Sequence, residues 1–435
     1  MLKKNSKYLI LAWLICGLGA VFYSYEYLLR ITPSVMEPSL RAHFNLSATG
    51  FGLLLGIYYV AYDFMQIPVG VLLDRYGPRI MLTIACLICV IGTFLFAATD
   101  LFWVAATGRF LVGMGSAFAF VGVLKLATIW LPEDKLAMVS GMAAALGTIG
   151  AMLGDNLLGI MVLHSGWQQT VNVTAVFGVI LTVVLWLGIR DRKSYQRQHG
   201  TITSFHQSMR DLRIILSNGQ IWINGLIGCL VYLPTTVFAE GWGIPYLKYA
   251  QGLTQESADL ANSLLFLGFT IGAPLMGFIS DRIKKRKLPI LCGAIAASIV
   301  IAIILYVPNI PELTINALLL LLGIFYSVQC IVFAIGRELS PSEAGGTAMA
   351  ITNMIVMLGA LLLQPLVGRL VDFSASSHIS DVQRLALSAS KMEQLYSAHD
   401  YQFALSIIPV GIILAAVLTY FLKETYADIH DDEIS

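Results

Sequence analysis

Twelve stretches of mostly apolar residues follow one another along this chain, each about the twenty residues that a helix needs to cross some 30 Å of hydrocarbon. A bilayer core offers no partners to free peptide groups, so a run of this kind crosses it as a helix whose hydrogen bonds close on themselves. The runs lie at 8–29, 50–73, 80–99, 102–129, 138–163, 168–189, 221–244, 257–280, 288–307, 314–336, 345–371 and 402–422. The first is longer than the apolar part of a secretory signal, about 7–15 residues, and reads as a retained span despite Lys3, Lys4 and Lys7 before it. Only 12% of the 435 residues are charged and the mean hydropathy is +0.77, whereas soluble domains carry about a quarter charged residues. The expected fold is an all-α membrane protein whose surface meets the lipid bilayer.

A second feature sets the internal order. Gly70 to Arg79, GVLLDRYGPR, returns as Gly277 to Arg286, GFISDRIKKR, with Gly70, Asp74, Arg75 and Arg79 each repeated 207 positions on (277 less 70). Both copies are polar turns between apolar runs. Parallel six-span repeats are one way in which secondary transporters are built. Residues 1–189 thus read as an N-terminal six-helix half, 190–220 as a polar linker rich in arginine, and 221–435 as a C-terminal six-helix half.

The loop Gly-x-x-x-Asp-Arg-x-Gly-x-Arg, here Gly70, Asp74, Arg75, Gly77 and Arg79, resembles the signature of the major facilitator superfamily. The second copy keeps Gly277, Asp281, Arg282 and Arg286 but has Lys284 in place of the glycine. Span four carries Arg109-Phe-Leu-Val-Gly113-Met-Gly115, similar to another stretch of that family, in which the arginine helps to bind or couple protons. The resemblance implies the major facilitator fold, with twelve helices in two halves that rock about a central site. It also implies that the two loops gate the cycle, with Asp74 meeting the N-terminus of span eleven near Gly346 when that face is closed. Span five is glycine-rich like that of the family's drug antiporters, but Asp155 stands where those have proline.

Basic residues fall mostly on one side. With the N-terminus inside, Lys and Arg favour the inner segments by roughly three to one, which makes both termini cytoplasmic and the plasma (inner) membrane the expected location. The net charge of +1 and the scatter of cations over loops speak against nucleic acid. All six cysteines sit in apolar runs and read as packing residues, the C-x-x-C of Cys86 and Cys89 included, because no second metal-ligating pair accompanies it. No cofactor is expected, and the chain is expected to be a monomer. The outer loop 373–401 holds a helix-compatible pattern at 382–396 and receives no role.

Ionisable groups at membrane depth are costly unless they are paired or face water, so they mark the mechanism. The candidates for substrate or proton coupling are Glu26, Tyr59, Tyr62, Asp63, Arg109, Asp155 and Glu240. Glu26 and Arg30, four apart, can satisfy one another near the outer surface. Tyr59, Tyr62, Asp63 and Gln66 share one helix face. Arg109 is expected to find an acidic partner, Asp155 or Glu26, or else to bond backbone carbonyls. Lys125 reaches toward the headgroups. Span seven, with Pro234, Gly241, Gly243 and Pro245 around Glu240, is expected to be broken.

No Gly-x-x-x-x-Gly-Lys-Ser/Thr loop is present to bring ATP, and the chain has neither a catalytic cluster nor a soluble domain of an enzyme or receptor. The reading is a secondary active transporter of a small polar solute (amino acid, short peptide or organic anion), taken up with protons by alternating access. A drug or metabolite exporter, a siderophore carrier and a facilitative uniporter stay open.

Overall fold

A computed structural model describes residues 6–131, 136–190, 212–341, 345–378 and 396–426. Twelve helices long and apolar enough to cross a membrane run through it: Leu9–Val35, Ala48–Leu73, Pro78–Ala97, Phe102–Trp130, Met142–Ser165, Trp167–Gly188, Gly219–Tyr249, Gln255–Ile283, Lys287–Tyr306, Glu312–Glu338, Thr347–Ala375 and Ala398–Phe421. Among the described residues there is no strand. They are numbered below as spans one to twelve. Exposed large apolar side chains, such as Phe177, Ile180, Val183 and Leu187 on span six, form the surface that lipid would cover.

Within each half, glycines let helices meet backbone to backbone. A Cβ on Gly92 of span three would lie 2.5 Å from the Gly108 carbonyl of span four, and one on Gly268 of span eight would lie 2.9 Å from the Cα of Gly323 on span ten. Such approach is what association needs in lipid, where dispersion and close packing replace the hydrophobic effect. Four of the six cysteines are buried as packing residues, Cys86 and Cys89 with their Sγ atoms 3.6 Å from the Gly178 and Val112 carbonyls, whereas Cys330 is half-buried and Cys292 is exposed, contrary to the reading of all six as packing residues.

The two signature loops turn differently. Gly77 takes φ +84°, ψ 153°, a region closed to side chains, while Lys284 at the matching place takes φ +54°, ψ 43°, the left-handed well that a non-glycine residue can enter at modest cost. The substitution is absorbed by a different turn, closed by Lys284 and Lys285 amides on the Asp281 and Ser280 carbonyls. Each loop is pinned to its own half. Arg79 donates to the Trp186 carbonyl at 3.0 Å and lies over that indole, 4.3 Å from the ring centre. Arg286 pairs with Asp281 at 2.6 Å and Glu338 at 2.7 Å, and these carboxylates raise its pKa above the ordinary value. Arg75 and Arg282 are exposed, and the Asp74 side chain lies outside the described residues.

Polar bonds between the halves cluster from mid-membrane toward the face opposite these loops, here called the far face. Tyr27 meets Tyr232 at 3.2 Å, Thr148 meets Thr270 at 2.6 Å, and Asn156 donates to Ser263 at 2.8 Å. Spans two and eleven touch through Gly52, whose Cβ would lie 2.5 Å from the Gln364 carbonyl. At the loop face, a Cβ on Gly70 or Gly277 would meet no atom within 4 Å.

Candidate functional site

Arg30 is the centre of the buried polar groups. Span one does not end near it, as the sequence boundary had placed it, but runs on through Pro33 to Val35, so Glu26 and Arg30 lie inside the protein, 0% and 3% exposed. Arg30 Nη2 donates to both oxygens of Glu26, at 3.1 and 3.3 Å, and its Nε donates to the Tyr58 hydroxyl at 3.1 Å. That hydroxyl donates onward to Glu26 Oε2 at 3.1 Å. The guanidinium also lies over the rings of Tyr27 and Tyr62, at 4.4 and 5.0 Å, where the ring faces attract a cation.

Glu240 brings the second half into this group. Its Oε1 is 3.7 Å from Arg30 Nη1, and its Oε2 accepts a hydrogen bond from Tyr59. Span seven is not broken there. Pro234 supplies no N–H and its ring crowds the turn before it, so the backbone from Pro234 to Trp242 widens into π turns instead of stopping. The widened turns leave carbonyls for other helices: Gln364 of span eleven donates to the Thr236 carbonyl at 2.5 Å, and Asn262 of span eight donates to that of Ala239 at 3.0 Å. The same Asn262 Nδ2 donates to Asp155 Oδ2 at 2.9 Å. Asp155 thus belongs to the contact of spans five and eight, itself on a π segment, Gly154–Leu158, and Asn262 ties it to span seven beside Glu240.

Among the described residues, Arg109 forms no ion pair with Asp155 or Glu26, the partners expected. Glu26 is taken by Arg30 and Asp155 by Asn262, while Arg109 donates to the carbonyls of Leu29 at 2.8 Å and Arg30 at 3.1 Å. The reason lies in Pro33. An α-helix would bond the Leu29 carbonyl to the amide of residue 33, but proline has none, and the freed oxygen takes a guanidinium instead. Gly113, one turn along span four, lets that helix press against the Tyr58 backbone, and the Arg109 guanidinium sits 5.0 Å from the Tyr58 ring centre.

Asp63 stands apart from this bonding. It is 3% exposed, and among the described residues neither carboxylate oxygen has a hydrogen-bond partner, nor has Nε2 of Gln66 one turn away. Arg30 is within electrostatic reach of it. An unpartnered carboxylate beside an arginine already engaged by Glu26 and Tyr58 is a place for a cationic group or a proton.

The structure therefore gathers Glu26, Tyr59, Tyr62 and Glu240 around Arg30, sets Asp63 beside them, and places Arg109 behind Tyr58 as a brace for span one. Sequence reading had Arg30 only as a partner for Glu26. It assigned no site role by number to Tyr27, Tyr58 and Tyr232, all of them buried. Among the described residues no group of three or more His, Cys, Asp or Glu gathers that would hold a metal ion.

Comparison with known proteins agrees with this architecture. The family model of the Major Facilitator Superfamily matches residues 8–373. A probable L-galactonate transporter of Escherichia coli is 26% identical over 332 residues, 71% of this chain and 70% of that protein. The lysosomal dipeptide transporter of Homo sapiens is 23% identical over 386 residues, 84% of this chain and 80% of that protein. Among solved structures, a bacterial homolog of the human lysosomal transporter Spinster, in an inward-facing and unoccupied conformation, superposes with a TM-score of 0.78 at 15% identity, covering 95% of this chain and 97% of that one. With twelve spans in two halves and the family's sequence along most of its length, the chain belongs to the Major Facilitator Superfamily and is a membrane transporter, not an enzyme.

Proposed function

We propose that the protein is a secondary carrier of small zwitterionic solutes, amino acids or short peptides, and moves them inward with protons by alternating access. The observation that carries this is the composition of the buried site. Three carboxylates, Glu26, Asp63 and Glu240, face Arg30, while Arg109 is occupied by backbone carbonyls. A purely anionic solute would enter a site already rich in negative charge. A zwitterion fits it better, with its ammonium on Asp63 and its carboxylate drawn to Arg30 in exchange for Glu240. The resemblance to a dipeptide carrier favours the same class; the resemblance to an L-galactonate carrier favours an organic anion, and the carboxylate count weighs against that.

Bonding between halves toward the far face, beside open space around Gly70 and Gly277, corresponds to one end of a rocking cycle. With the N-terminus inside, as the basic residues favour, this is an inward-facing form, 1–189 and 221–435 are the rocking units, and the signature loops gate the inner face. Proton coupling is assigned to Asp63, which can hold a proton when no ammonium neutralises it. The carrier works as a monomer in the plasma membrane.

Thermal denaturation of the purified protein with a panel of ligands tests the substrate class. Dipeptides or amino acids should raise the melting temperature with concentration, because a ligand that binds only the folded form stabilises it by mass action, while hexonates should leave it unmoved. Stabilisation by hexonates alone would replace this reading with an organic-anion carrier.

A further inference from the structure

Span two begins at Ala48 with its own cap, Ser47, whose hydroxyl accepts from the Gly50 amide at 3.3 Å. The next free amides are served from the other half. Asp372, in the last turn of span eleven, accepts the Ala48 amide at 3.2 Å on Oδ1, and on Oδ2 the Thr49 amide at 2.8 Å and the Thr49 hydroxyl at 2.6 Å. Gly368, one turn earlier, has no side chain to hold the helices apart, and a Cβ there would overlap the Ala48 carbonyl. The carboxylate is itself held in place. The Tyr396 hydroxyl donates to Asp372 Oδ1 at 2.5 Å, and the ring of Tyr396 carries the Arg41 guanidinium 5.0 Å from its centre. Arg41, fully buried, pairs with Glu37 at 2.9 Å. Burial pushes the Tyr396 phenol above its ordinary range, so it remains a donor.

We propose that Asp372 is the latch of the far-face-closed state: a carboxylate of one half capping the first turn of span two in the other, made in this state and broken when the far face opens. A helix N-terminus presents unpaired amides and partial positive charge, and a carboxylate there forms charge-assisted hydrogen bonds. Opening the far face moves span eleven away from span two and strands these donors. The signature loop is expected to supply the opposite latch, Asp74 just past the loop end of span two against the first turn of span eleven. Spans two and eleven would then carry one acidic latch at each end, each helix capping the other, and the cycle would exchange one for the other. Tyr396 and the short helix Glu37–Phe44, which carries Arg41, serve to hold the far-face latch in position.

The proposal rests on the alternating-access reading, and hydrogen–deuterium exchange of the full chain in nanodiscs separates the two. If the wild type interconverts, exchange at 48–55 and at the loops 70–79 and 277–286 should respond in opposite directions when the balance between the states is shifted. Asp372→Asn should speed exchange at 48–55 and slow it at the two loops, a shift of about tenfold toward the loop-face-closed state. Asp74→Asn should do the reverse. Wild-type exchange in Asp372→Asn, with Asp74→Asn shifting the balance, would overturn the latch and leave alternating access standing; no opposed response in either variant would overturn both. Should Asp372→Asn raise exchange along all spans, Thr49→Ala decides: it removes one of the three bonds that Thr49 and Ala48 make, and a shift in the same direction supports the latch while none overturns it.

Discussion

Arg30 Nη1 lies 3.7 Å from Glu240 Oε1, and this ion pair joins span one of the first half to span seven of the second. Both side chains are buried, and Arg30 already serves Glu26 and the Tyr58 hydroxyl. The pair is thus the longest and least saturated contact of the arginine, the one that a solute carboxylate could replace.

A lysine at this position keeps the charge but cannot serve Glu26, Tyr58 and Glu240 at once, because its ammonium is a point charge without the planar fork. Arg30→Lys is expected to lower uptake at least tenfold while leaving the protein folded. Uptake in proteoliposomes, with circular dichroism on the same preparation, checks it; near-normal uptake would remove Arg30 from the site.

Asp63→Asn keeps the shape and removes the titratable group. The variant should lose accumulation driven by a pH gradient and retain exchange of labelled for unlabelled solute. Accumulation that survives unchanged would make Asp63 a binding residue only, or the carrier a uniporter.

Arg109 braces the end of span one through two carbonyls, one of them freed by Pro33. Arg109→Lys can reach at most one of them well. Hydrogen bonds to charged groups contribute about 1.5–3 kcal/mol, so the variant should melt several degrees lower. Pro33→Ala restores an amide for the Leu29 carbonyl, and in that background the loss from Arg109→Lys should shrink. An undiminished loss would place the role of Arg109 elsewhere.

The twelve spans, the repeat and the two halves were legible in the sequence because the bilayer forces apolar length and closed hydrogen bonding on every crossing. That ionisable groups lie inside the spans was legible too, and Glu26, Asp63, Arg109, Asp155 and Glu240 are all buried, Glu26 further inside than the sequence boundary had placed it. Rotation of a helix about its axis, and its neighbour in the other half, were not. Arg109 bonds the backbone of span one, and Asp155 bonds Asn262 of span eight. Asp372 received no reading from the sequence, and its partners lie 324 and 323 residues away in the chain. Pro33 was visible, but its effect on Arg109 depends on span four passing behind Leu29.

Gly52 tests the packing that closes the far face. A Cβ there would lie 2.5 Å from the Gln364 carbonyl and 2.9 Å from the Pro365 Cα, both backbone atoms of the other half. Gly52→Ala should therefore leave each half folded but disfavour the far-face-closed state, with slower turnover and faster amide exchange at 48–55. Wild-type turnover and exchange would mean that spans two and eleven adjust without cost.

The central claim is that the site takes a solute carrying both charges. It is tested most directly by uptake into proteoliposomes of a labelled dipeptide, set against a labelled hexonate, under an inward proton gradient. The account predicts accumulation of the dipeptide that an uncoupler abolishes and no accumulation of the hexonate; accumulation of the hexonate with the dipeptide excluded would contradict it.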